Sequence, residues 1–261
     1  MLLKDKVAVI YGAGGAIGGA TARAFAREGA TVFLAGRTEA KLAAVAADIA
    51  AAGSRAEVAP VDALDKGSVD RHADEIVAKA GRIDISFNAI DLGDAQGAAL
   101  VRIEEGHFAL PIVTAIRTHF LTATAAARAM IPAGRGVILA ITAQAGKTPF
   151  PDTGGFGVAC AAIEGLCRQL AVELGPSGIR VVCLRSSGSP DAPGVDAAFR
   201  IHAANAGVSR EAFEAKIAER TMLKRMPRLA EIADAATLFA SDNARAITAA
   251  VANLTCGEIA D

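Results

Sequence analysis

Tryptophan is missing from the 261 residues, tyrosine occurs once, and aromatic side chains make up only 4% of the chain. A core so poor in rings and so rich in alanine and glycine suits helices packed closely against a sheet. Charge of one sign is lacking too: 27 Lys and Arg stand against 28 Asp and Glu, for a formal net charge of -1. That balance excludes a global attraction to nucleic acid or to an anionic membrane. Only four cysteines occur, Cys160, Cys167, Cys183 and Cys256, without the close pairing of a zinc site or the density of a disulfide framework. Buried, reduced thiols in a cytoplasmic protein are expected. No apolar run reaches the roughly 18–20 residues of a membrane span, and Lys4, Asp5 and Lys6 argue against a secretory signal. What is abundant is hydrophobic content, at 52%, which supports a sizeable core and excludes disorder or a fibre.

Along the chain, short apolar runs alternate with segments of helical rhythm. Val7–Ile10 reads as a strand, Ala20–Glu28 as a helix, Thr31–Ala35 as a strand and Glu39–Ala52 as a helix, with Thr38 as its N-cap and Gly53 as its stop. Ala56–Val61 and Ile83–Phe87 supply further strands, separated by an amphipathic stretch, Ser68–Ala80, that ends at Gly81. The second half repeats the alternation, with helices near Leu110–Met130, Phe156–Leu174 and Leu229–Ala240 and strands near Val137–Ile141, Arg180–Leu184 and Val251–Leu254. Strands that are apolar throughout imply a parallel sheet covered on both faces. The fold class is therefore α/β, a doubly wound parallel sheet in three α/β/α layers, with residues 1–261 forming one domain. Ser, Gly and Pro cluster after Arg185, which predicts a mobile substrate flap at about 185–228 carrying one short helix near Glu211–Arg220.

The first strand runs into Tyr11-Gly-Ala-Gly-Gly-Ala-Ile-Gly-Gly19 and then into a helix. In that setting glycines permit a tight turn, and backbone N–H groups approach a pyrophosphate at the positive end of the helix. Gly12, Gly14, Gly15, Ile17 and Gly18 are the expected contacts. The second strand ends Gly36-Arg37, and a basic residue there favours the 2′-phosphate of NADP(H) over the free ribose of NAD(H). Glu39 suits the first turn of the following helix instead.

From Lys4 almost to the end, the chain resembles the short-chain dehydrogenase/reductase family, whose fold is of the Rossmann type. That family's Thr-Gly-x-x-x-Gly-x-Gly falls on Tyr11, Gly12, Ala16 and Gly18, so Tyr11 and Ala16 each add bulk where a phosphate should pass. Asp62 and Ala63 resemble its adenine contact, and Phe87-Asn-Ala-Ile90 resembles its Asn-Asn-Ala-Gly, with Asn88 and Ala89 retained. Gly178-Ile-Arg-Val181 and the run from Arg225-Met226 through Ala246-Ile-Thr248 resemble its closing elements.

The resemblance also implies a catalytic Tyr and Lys four residues apart, a Ser thirteen before the Tyr, and an Asn on the long preceding helix. Those positions hold Phe156, Cys160, Ala143 and Ala115, so all four catalytic side chains are absent. Where the family has Pro-Gly beside the nicotinamide, this chain reads Arg185-Ser-Ser-Gly188. Residues 156 and 160 share one helical face, but phenyl and thiol replace phenol and ammonium. Thr142 should point away from the cleft, while Gln144, Lys147, Asp152 and His119 lie on segments that could border it, each read first as a surface or supporting polar residue. His72, His107 and His202 show no metal-ligand spacing, and no metal is expected.

The resulting expectation is an NADP(H)-binding protein, nominally an oxidoreductase, that does not support the family's Tyr/Lys hydride-transfer mechanism. The alternatives are a non-catalytic subunit of structural or regulatory role, and a non-redox enzyme with an apolar pocket. A small-molecule substrate of unknown identity is expected. So is a homo-oligomer, dimer or tetramer, formed through the alanine-rich helix Phe156–Leu174.

Overall fold

A computed structural model describes all 261 residues. Seven strands form one fully parallel sheet: β1 Val7–Tyr11, β2 Thr31–Gly36, β3 Ala56–Pro60, β4 Ile85–Asn88, β5 Gly136–Ala143, β6 Ile179–Ser186 and β7 Ala250–Leu254. Their order is β3-β2-β1-β4-β5-β6-β7. The helices are α1 Ala16–Arg27, α2 Glu39–Ala51, α3 Lys66–Ala80, α4 Glu105–Met130, α5 Phe156–Leu174, α6 Pro193–Asn205, α7 Arg210–Arg220 and α8 Leu229–Ala240.

Each face of the sheet carries its own core. Leu42, Ile49, Phe25 and Ala236 from α1, α2 and α8 pack with Ile10, Leu34 and Phe87 on one side. Val69, Ile76, Ala115, Ala126, Ile163 and Leu170 from α3, α4 and α5 pack with Val9, Phe33 and Val181 on the other. This is the three-layer, doubly wound Rossmann architecture read from the sequence. Strand order reverses between β1 and β4, so a crevice opens beyond their carboxyl ends, the place where such sheets bind ligands.

Several boundaries differ from the sequence reading for physical reasons. β4 starts at Ile85 rather than Ile83 because Asp84 turns its carboxylate onto the backbone N–H of Val7 at 2.8 Å, sealing the start of β1. The long helix begins at Glu105, not near Leu110, and runs through Pro111. Thr38 does occupy the N-cap of α2, but its hydroxyl makes no capping bond, and Gly53 follows the C-cap in a left-handed conformation.

The flap requires two corrections. It starts after Ser186, because Arg185 and Ser186 pair with Thr142 and Ala143 of β5 inside the sheet. It also carries two helices rather than one, and the missed one, α6, has Pro193 at its first position, where a fixed φ and an absent N–H cost nothing.

Candidate functional site

The crevice has two walls, and the glycine-rich turn between β1 and α1 builds the first. Gly12 sits at φ +78°, and a Cβ there would lie 2.5 Å from the carbonyl oxygen of Ala89. Ala89 N–H in turn donates to the Tyr11 carbonyl at 2.9 Å, which fixes the two edges of the crevice at backbone contact distance. Gly18 is needed for the same reason, since its Cβ would run into the Gly12 carbonyl. Gly14 backs onto Lys41, whereas a Cβ on exposed Gly15 would meet only the Gly12 oxygen, at 3.2 Å.

Gly15 caps α1 without any side-chain hydrogen bond, so the first-turn N–H groups at Ala16, Ile17 and Gly18 have no partner within the helix. An anion-binding end facing open space is what a pyrophosphate requires. Arg37 is exposed at the end of β2, and Glu39 opens α2. Asp62, also exposed, accepts from Leu64 N–H with one oxygen at 3.0 Å and leaves the other free. Ala63 is buried beside it. Asn88 is buried and internal: its Nδ2 donates to Thr122 Oγ1 at 3.1 Å and its Oδ1 accepts from Ile90 N–H, tying β4 to α4. These residues fit a dinucleotide.

Tyr11 departs from expectation. Its ring is 1% exposed and lies in the core with Val61, Val69 and Ala73, edge-on to His72 at 6.0 Å between centroids. It therefore adds no bulk on the phosphate path, and Ala16, half-exposed at the start of α1, remains as the one added methyl. Burial pushes the Tyr11 phenol well above its usual range, with Asp70 contributing in the same direction.

The second wall is the end of β5 together with the first turns of α5. Ala143 and Cys160 come together there, and Gly146 and Gly157 allow the close approach: Cβ atoms on them would meet Cys160 Cβ and the Ala145 carbonyl, both at 3.0 Å. Phe156 is half-buried at the start of α5, and Ala115 is fully buried in α4. Burial above all, with Cys183, Asp94 and Glu164 adding to it in that order, pushes the Cys160 thiol up to about 12, so it stays neutral and inert. None of these four side chains, Ala115, Ala143, Phe156 and Cys160, carries a charge near neutral pH.

Charge is present one turn deeper, unforeseen from the sequence. Glu164 on α5 is 5% exposed and takes Arg185 Nε and Nη2 at 2.8 and 2.9 Å, a bidentate ion pair that Asp261 extends at 2.7 Å to Arg185 Nη1. Thr142 directs its hydroxyl to the Leu184 carbonyl and Glu164, away from Ala143, and is fully engaged.

Of the bordering residues proposed from sequence, His119 does not reach the cleft. It is 5% exposed inside α4, with Nδ1 2.8 Å from the Ala115 carbonyl, and burial pushes its pKa down to about 4. Lys147 turns outward to Asp261. Asp152 is drawn to the flap, accepting from Asn205 at 3.2 Å. Gln144 follows Ala143 directly at the cleft floor. No group of three metal-binding side chains forms anywhere, and no helix is long and apolar enough to cross a membrane.

Residues 12–257 match the family model described as "Enoyl-(Acyl carrier protein) reductase". The chain is 31% identical over 249 residues to "Short chain aldehyde dehydrogenase 1" of Euphorbia lathyris, covering 94% of this chain and 85% of that protein. Among solved structures it resembles an NAD+-bound xylitol dehydrogenase, with TM-score 0.92 and 23% identity over 98% of this chain and all of that one. A sorbitol-6-phosphate 2-dehydrogenase from Erwinia amylovora gives TM-score 0.91 and 26% identity, covering 97% of this chain and 100% of that one.

Proposed function

This chain belongs to the short-chain dehydrogenase/reductase family, and from that premise we propose that it binds NADP(H) in the β1–β4 crevice and holds a small molecule against an apolar second wall. Its reaction, if redox, does not use the family's Tyr and Lys. The observation that carries this reading is the contrast between the walls: free helix-end N–H groups and close-packed glycines on one, Ala143, Phe156 and Cys160 on the other.

When bound, the dinucleotide supplies hydride chemistry. The chain's own contribution is positioning. N–H groups at the start of α1 would hold the pyrophosphate, Arg37 the 2′-phosphate, and Asp62 the adenine amine. Phe156 and Cys160 exclude water and donate no proton near pH 7, and loss of a positioned general acid costs about 10²–10⁴ in rate. A non-catalytic role in an assembly is the second reading, favoured by the same four empty positions. Reduced thiols suit a cytoplasmic setting. Exposed Val158 and Val172 on α5 and Val113 and Phe120 on α4 form the apolar surface through which we expect a homo-oligomer.

The test is a fluorescence titration with NADPH and NADH, followed by carbonyl-reduction assays of the parent and of the triple variant Ala143→Ser, Phe156→Tyr, Cys160→Lys. NADPH should bind, and the variant should turn over about 10²-fold faster or more. Equal rates for parent and variant, or no dinucleotide binding, would refute the reading.

A further inference from the structure

Two cations from different elements end on one oxygen. Arg185, near the end of β6, donates from Nη1 to Asp261 Oδ1 at 2.7 Å, and Lys147, just past the turn that follows β5, donates from Nζ to the same oxygen.

Arg185 is the fixed member of the pair. It is 4% exposed, and Glu164 takes its Nε and Nη2 at 2.8 and 2.9 Å, which leaves Nη1 as the one nitrogen turned to another partner. Lys147 is partly exposed, and its backbone N–H donates to the Gln144 carbonyl at 2.9 Å, which sets where the side chain starts. Two cations against the single carboxylate of Glu164 leave one positive charge. Two charge-assisted donors thus converge where one carboxylate oxygen fits.

The occupant is the weakly tied part. Ile259 is buried, and Asn253 Nδ2 donates to its carbonyl at 2.7 Å. Beyond it, residues 260 and 261 belong to no helix or strand, and their backbone makes one hydrogen bond, accepted by the Ala260 carbonyl from Lys147 Nζ at 3.1 Å. The Asp261 side chain is 41% exposed. Its carboxylate is therefore a ligand on a two-residue tether, present at an effective concentration of order millimolar. Whatever displaces it must bring its own negative oxygen, because Arg185 Nη1 would otherwise be left without a partner.

We propose that Arg185 and Lys147 form a site for a small molecule carrying a carboxylate, and that Asp261 fills this site from within the chain as a competing ligand. The site is built from β6 and the turn after β5 rather than from the β1–β4 crevice, so it does not depend on dinucleotide binding.

The test titrates acetate and its neutral counterpart acetamide, with chloride balancing the ionic strength, and follows the Arg185 Nε–H signal by NMR. Acetate should bind at least about tenfold more tightly to Asp261→Asn, which keeps the shape and removes the charge, than to the parent. Asp261→Ala should behave alike, and added salt should weaken the binding. In the parent itself, the Asp261 carboxyl carbon should shift toward a free carboxylate as acetate saturates the site. Lys147→Met should abolish the gain in the Asp261→Asn background, and acetamide should shift neither signal. Equal acetate affinity in the parent and both Asp261 variants would overturn the proposal. So would equal shifts from acetamide, a gain that survives Lys147→Met, or a parent Asp261 carbon that stays unmoved at roughly 0.1 M acetate.

Discussion

The two walls of the crevice have kept different things. On the dinucleotide wall, positions without a Cβ remain where backbone meets backbone, at Gly12 against Ala89 and Gly18 against Gly12. On the reacting wall the backbone is equally close, with Gly146 and Gly157 seating β5 against α5, and the side chains at its surface are Ala143, Phe156 and Cys160. The charge on the reacting side sits a turn away, in Glu164 behind Cys160. Glu164 with Arg185 braces the wall from behind.

The brace gives the largest expected effect. Removing one partner of a buried pair strands the other, at a cost of about 3–5 kcal/mol. Glu164→Ala should lower stability by that amount in denaturant unfolding, since Arg185 would keep only Asp261. The double change Glu164→Leu, Arg185→Met should recover most of the loss. If Glu164→Ala is neutral, the pair is not a brace and the contrast between the walls weakens.

Each wall also hides a neutral histidine: His72 against Tyr11, and His119 beneath Ala115. Burial pushes both down to about 4, and neither has hydrogen-bond partners at every nitrogen. The folded state therefore binds fewer protons than the unfolded chain between pH 6.5 and about 4. Stability should be flat with pH above that window and fall as pH drops through it, by on the order of 3 kcal/mol per histidine. Unfolding midpoints of His72→Leu and His119→Leu measured from pH 7 to 4 should each lose a share of this slope. An unchanged slope in either variant would show that histidine to be charged in the fold.

A smaller effect tests the dinucleotide wall. Gly18→Ala drives a methyl into the Gly12 carbonyl, and overpacking of this kind costs about 1–3 kcal/mol. Thermal melting should fall by on the order of 5 °C, and NADPH affinity should fall with it. A full melting temperature with lost affinity would mean the loop yields locally.

How much of this was readable beforehand follows from where the information lies. Gly12, Gly15 and Gly18 are legible because a strand, a glycine turn and a helix are contiguous in the chain, and Phe156 and Cys160 follow from a spacing of four along one helix, with Ala143 thirteen residues before Phe156. The direction of Tyr11 is not legible. β1 is buried on both faces, so its residues carry no polar alternation to say which way each points. Glu164 and Arg185 lie 21 residues apart, and only the packing of α5 across β6 brings them together. The contact of His202 Nε2 with Gln96 Oε1, at 2.7 Å, joins residues 106 positions apart. α6 was detectable in principle from Pro193 at its first turn, but Gly188 and Gly194 on either side read as loop.

The choice between the two dinucleotides is the finest contrast on the first wall. Arg37 is exposed at the end of β2, where a ribose 2′-substituent would lie, and Glu39 points its charge at the start of α2. A guanidinium–phosphate contact contributes about 1.5–3 kcal/mol, of which solvent exposure leaves the lower part. Arg37→Glu should therefore weaken NADPH by about tenfold, leave NADH equal or slightly better, and leave the melting temperature unchanged because the side chain packs on nothing. Titrating both nucleotides against parent and variant separates two cases. A parallel loss for NADPH and NADH would mean Arg37 acts on the shared pyrophosphate. A loss confined to NADPH places it at the 2′-phosphate, which makes the first wall selective as well as intact.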